Sequence, residues 1–136
     1  MSSLTELMEG LSARCERISG LHCYPVWLPR PSAPALCVGG PIRWEYDSTF
    51  DGTWRPVFEL TLTVQSSDLY RAQQTLHTYL APSGTRSIPA AIYGDPTLGG
   101  VANDTRVLGS TRPVAGAEIA GGHQLQAALE VEVIAV

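Results

Sequence analysis

The sequence predicts a single α+β domain over residues 1–136: an antiparallel β-sheet with two helices packed on one face, and an aromatic β-hairpin. Three patterns carry that expectation. Leu4, Leu7, Met8, Leu11, Cys15 and Ile18 recur at three- and four-residue steps, which lays one apolar stripe along a helix. Phe58, Leu60, Leu62 and Val64 alternate with Glu59, Thr61, Thr63 and Gln65, the period of a strand with one buried and one wet face. The order helix, strands, helix, strands then segregates the helices to one side of the sheet.

The first helix opens at Ser3, which has capping-box spacing to Glu6, and Gly20 supplies the stop. Glu9, Arg14, Glu16 and Arg17 occupy its other face, a charge mixture typical of a solvated surface. Residues 22–29 form a short strand candidate that Pro25 confines to a sheet edge. A proline-rich loop follows at 30–35, and residues 36–40 form another short extended piece. Ser66 or Ser67 is placed to cap the second helix, with Leu69, Ala72, Leu76 and Leu80 along one side. "SIPAAIYG" (87–94) reads as a short helical turn, "DPTLGGVAND" (95–104) as a Gly-rich loop and "TRVLGSTR" (105–112) as a strand. The chain closes on residues 123–133, where Leu125, Ala127, Leu129, Val131 and Val133 alternate with polar or small residues.

An apolar fraction of 44% and a charged fraction of 16% belong to a folded chain, not a disordered tail. No apolar run reaches the roughly 18 residues of a membrane span, and the N-terminus has no signal-peptide pattern. A soluble protein without a membrane partner is expected. The net charge is −4, and the basic residues are nine scattered arginines with no lysine. Nucleic-acid binders concentrate positive charge, so no sequence-specific nucleic-acid partner is expected.

Cys15, Cys23 and Cys37 are odd in number and none forms a CxxC pair, which argues for buried free thiols over a zinc site or disulfide framework. His22, His77 and His123 stand alone, outside any HxH or HExxH spacing. The loop at 95–104 lacks the lysine of a phosphate-binding GxxxxGK[ST] motif and reads as turn chemistry. Asp47 and Asp51 lack the EF-hand spacing and its terminal Glu. No metal, no cofactor and no catalytic residue is expected.

What stands out is "PIRWEYDSTFDGTWRPVFELTLTV", Pro41–Val64, which crowds Trp44, Tyr46, Phe50 and Trp54 among Arg43, Glu45, Asp47, Asp51 and Arg55. Asp51-Gly52 is a hairpin signal. A two-residue turn there pairs Tyr46 with Val57 and Trp44 with Glu59, placing both aromatics on the wet face. A bulged or odd-length loop sends them to the core face instead. Aromatics and arginines dominate protein interfaces, so Arg43, Trp44, Glu45, Tyr46, Phe50, Trp54 and Arg55 are candidate subunit-interface residues. Gln126, Glu130 and Glu132 on the last strand are candidates for the complementary patch, because they could meet Arg43 or Arg55 of a neighbour. A small-ligand or carbohydrate-binding module is the alternative, with Trp44, Tyr46 and Trp54 as stacking faces.

Taken in order, the D-S-T-F-D-G hairpin, the helix around residues 71–92, the D-P-T-L-G-G-V-A loop and the closing "ALEVEVIA" resemble the tail terminator proteins of long-tailed bacteriophages. The likeness covers nearly the whole chain and is to the versions in phages of high-G+C hosts. It implies a non-enzymatic structural virion protein at the tail–neck junction, present in the host cytoplasm during assembly. Its partners would be itself in a ring homo-oligomer, typically a hexamer, the major tail tube protein and the head–tail connector or stopper protein. The ring would cap the finished tube, end its polymerisation and join it to the head. Head-completion proteins of the neck share the small α+β build and are the neighbouring reading.

Overall fold

A computed structural model describes residues 3–26, 34–46, 54–66, 68–111, 114–115 and 123–135. In chain order the elements are α1 (Leu4–Cys15), β1 (His22–Tyr24), β2 (Ala35–Tyr46), β3 (Trp54–Ser66), α2 (Leu69–Leu80), α3 (Ile88–Tyr93), a 3₁₀ turn (Leu98–Gly100), β4 (Asp104–Ser110), β5 (Val114–Ala115) and β6 (His123–Ile134). The strands make one sheet in the order β1-β2-β3-β6-β4, with β5 also beside β6. The fold is α+β, as its patterning requires.

Helix α1 begins as expected: the Ser3 hydroxyl accepts the Glu6 N–H at 3.2 Å. It ends at Cys15, and irregular turns carry the chain on to Gly20, whose φ is +83°. Helix α2 is capped by neither serine. The Asp68 carboxylate accepts the Tyr70 N–H at 3.0 Å, and its charge adds a favourable term at the positive end of the helix. Ala72, Leu76 and Tyr79 form its buried side, while Leu69 in the first turn is exposed. Ser87 caps α3, which has Pro89 in its first turn, where a missing N–H costs no hydrogen bond.

Two expectations about the sheet are corrected. It is mixed: β1 runs parallel to β2, with His22 opposite Ala35 and Tyr24 opposite Cys37. Parallel pairing requires the chain to return to the starting end before β2 begins. The extended piece at 36–40 and the first arm of the hairpin are also one strand. Register shifts between Val38 and Pro41, and between Pro41 and Arg43, let β2 bend and continue along β3. Gly39 permits this, because a Cβ there would lie 3.1 Å from the Glu59 carbonyl oxygen.

The core lies between the sheet and the helices. Phe58, Leu60, Leu62 and Val64 on β3, with Leu129 and Val131 on β6, are fully buried against Leu7, Leu11, Leu76 and Ile92. The other face is less wet than alternation implies. Ala35, Cys37, Val57 and Thr63 are buried there, and Glu59, Thr61, Gln126, Glu130 and Glu132 are half-buried. Neighbouring side chains on a closely spaced sheet shelter one another even where no helix covers them.

Candidate functional site

The pairing of β2 with β3 decides where the hairpin residues stand. Tyr46 pairs with Trp54, Glu45 with Arg55, Trp44 with Pro56 and Arg43 with Val57. The connecting residues 47–53, including Phe50 and the Asp51-Gly52 signal, lie outside the described residues, as do the side chains of Trp44, Glu45 and Tyr46. A two-residue turn would have set Tyr46 opposite Val57. The observed partner is three positions away, an odd shift that moves positions 44 and 46 to the Phe58 side of the sheet. Trp54 follows that parity, half-buried and packed against the core.

Arg43 and Arg55 fall on the opposite face, together with the charges of β6 and β4. Val57 pairs with both Arg43 and Glu132, and Glu132 pairs in turn with Arg106. Glu59 stands directly opposite Glu130, and Thr63 opposite Gln126, whose amide lies 3.4 Å from the Thr63 hydroxyl. Arg43, Arg55, Gln126, Glu130 and Glu132 therefore share one face of one chain. Glu59 and Arg106 join them. The alternation along β3 could have pointed to Glu59, but nothing in the sequence places Arg106 beside Glu132 without the strand pairing. Among the described residues none of these charges makes an ion pair; the one formed is between exposed Arg71 and Asp68 at 3.9 Å. Arg55 Nε and Glu132 Oε1 are shielded from solvent with no hydrogen-bond partner among the described residues. Like charges directly opposite across a strand pair are destabilising, so this face carries a cost in the isolated chain.

Two depressions accompany the site. A groove of about 290 Å³ on the same face is lined by Glu59, Thr61, Thr111, Gln126, Ala127 and Ala128. It opens where β4 leaves β6 and the Thr111 hydroxyl accepts the Ala128 N–H at 3.0 Å. Trp54 is on the other side of the sheet, so this groove has no described aromatic wall on which a sugar ring could stack. The second, about 120 Å³, lies between α1 and the Gly-rich turn, where Arg14 and Arg17 face Asp95. Arg14 Nε donates to the Ala91 carbonyl, and Gly94 leaves room for its guanidinium, because a Cβ there would collide with it. Asp95 accepts the Thr97 hydroxyl at 2.6 Å and the Gly99 N–H at 3.0 Å, and these bonds hold its carboxyl below the usual carboxylate range. The loop is a self-satisfied turn, with Leu98 at φ +53° and Gly99 at +76°.

Cys15 and Cys23 are free thiols beside the core. Burial pushes both up, Cys15 far above the usual thiol range and Cys23 to about 12, with the nearby Glu16 carboxylate adding to the Cys23 shift. Such thiols are poor nucleophiles. No group of three or more His, Cys, Asp or Glu side chains among the described residues could hold a metal ion, and no described helix is long and apolar enough to cross a membrane. No protein-family model matches the chain, and no curated protein matches it significantly.

Proposed function

We propose that this chain is a structural virion protein, a phage tail terminator. It assembles into a ring, six-membered by the resemblance, on the end of the tail tube, stops further polymerisation and joins the tube to the head connector. The observation that carries the reading is the charged sheet face. Arg43, Arg55 and Arg106 surround Glu59, Glu130 and Glu132 with no ion pair among the described residues, and two of the carboxylates stand directly opposite each other. In a single chain the Glu59–Glu130 juxtaposition is unfavourable. Assembly relieves it, because a neighbouring surface can supply opposite charges there. The succession of hairpin, Gly-rich loop and closing strand adds the resemblance to tail terminators.

The test is deletion of the gene from the phage that carries it. Tails of uncontrolled length, or complete heads and tails that fail to join, are expected. Particles with normal tail lengths and full joining would remove the role.

A further inference from the structure

The charged face differs from row to row across the strands. Glu59 and Glu130 stand directly opposite each other, and both are half-buried. On one flank Gly39 and Gly40 fall between the pairs Val38–Leu60 and Pro41–Phe58, and so face Glu59. On the other flank Gly109 pairs with Glu130. The two carboxylates thus have glycine on either side, and these positions of β2 and β4 offer no side chain to pair with them. A Cβ at Gly40 or Gly109 would meet nothing within 4 Å. The next row, Cys37, Thr61 and Ala128, is short, and the groove of about 290 Å³ opens over it between Glu59, Thr111 and Gln126. An acidic trough crosses the sheet at right angles to the strands.

Its charge and shape specify what it takes. Residues directly opposite across antiparallel strands have Cα atoms about 4.5–5.5 Å apart, so one planar guanidinium can reach both carboxylates. Its remaining N–H groups can donate to the Thr61 hydroxyl and the Gln126 carbonyl. An ammonium is a point charge without that fork. The row on the far side sets the direction of approach, because it holds Arg43, Val57, Glu132 and Arg106. A basic chain laid along the strands would meet those arginines, whereas one laid across them stays over the carboxylates. The whole chain carries a net charge of −4 and no lysine, so two copies repel at long range while a basic partner is drawn in.

We infer that the trough receives an arginine-bearing segment of another protein, laid across the strands with a guanidinium between Glu59 and Glu130. The contact relieves the repulsion of the two carboxylates and turns it into a pair of charge-assisted hydrogen bonds. It deepens the reading of this face as a contact surface, on which it rests, by naming the chemistry of the partner. Of the contacts a terminator makes, the trough serves one with a different protein and not one between copies.

A capped Gly-Arg-Gly-Arg-Gly peptide is the probe, titrated into the whole chain by calorimetry at low salt. The wild type should bind it, and should bind the same peptide with neutral citrulline for arginine at least about tenfold more weakly. Glu59→Gln with Glu130→Gln should weaken binding at least about tenfold, and should raise the urea midpoint because the repulsion is gone. Glu9→Gln with Glu16→Gln removes the same charge from exposed positions on and just beyond α1, on the other side of the sheet, and should bind like the wild type. Gly109→Leu or Gly40→Leu, at glycines without positive φ, should fill the trough and block binding in a folded protein. The assignment is overturned if the wild type ignores the peptide, if the α1 variant loses as much affinity as the trough variant, if folded leucine variants bind normally, or if the glutamine pair lowers stability. It is overturned too if light scattering shows wild-type copies associating and the glutamine pair abolishing that association, which would make the occupant a second copy. The tail-length phenotype of the deletion decides the terminator reading separately.

Discussion

Gly10→Ala should destabilise the fold even though it places a better helix former inside α1. Alanine in place of glycine within a helix gains about 1 kcal/mol from backbone entropy. Here the helix crosses the Gly-rich turn so closely that the new Cβ would lie 2.9 Å from Val101 Cγ2, 3.2 Å from Leu98 Cβ and 3.3 Å from the Leu98 carbonyl oxygen. The turn has little room to withdraw, because the Leu98 N–H is bonded to the Asp95 carbonyl at 3.1 Å and Leu98 is already at positive φ. Overpacking of this kind costs about 1–3 kcal/mol, so the net loss is about 0–2 kcal/mol. In urea a loss near 1 kcal/mol lowers the midpoint by about 0.3–1 M at unchanged slope. Val101→Ala removes the tightest of the three contacts, so the double variant should be more stable than the sum of the single changes, by about 0.5–1 kcal/mol. A Gly10→Ala protein stabilised by the full helix-propensity gain would refute the close crossing of α1 and the turn.

Two further outcomes follow from burial. Leu62→Ala removes a fully buried side chain from β3, between the helices and two flanking strands, and should cost about 2–5 kcal/mol in denaturant melts; a loss of a few tenths would place Leu62 outside the core. Cys15 and Cys23 have folded pKa values above the ordinary 9.0, so the stability they contribute is whole below pH 9 and drains as the pH rises beyond it, when unfolded thiols ionise first. Stability measured from about pH 8 to pH 10 should therefore fall less steeply for Cys15→Ala than for the wild type, and equal slopes would contradict the burial of that thiol.

The sequence by itself determined the elements whose signal is local. The stripe from Leu4 to Cys15 made a helix because 3.6 residues per turn stack those side chains, while Ile18 lies in the turn beyond it, and Ser3 capped the helix because its hydroxyl reaches the Glu6 N–H three residues on. The alternation from Phe58 to Val64 and from Leu125 to Val133 made two strands with one buried face, since strand side chains switch sides at every residue. It also supplied the aromatics and arginines crowded between Arg43 and Arg55. Tertiary structure decided where those residues stand, because register is a relation between distant segments. The bulges near Gly39 and Ile42 joined an extended piece to the hairpin arm, and one odd shift moved positions 44 and 46 to the Phe58 side of the sheet while bringing Arg43 to the charged face that Arg55 already shares with Glu59. Pairing with β6 set Glu59 against Glu130 and brought Arg106 to Glu132. Parallel β1 and the exposure of Leu69 were settled the same way, by what packs beside each residue and not by its neighbours in the chain.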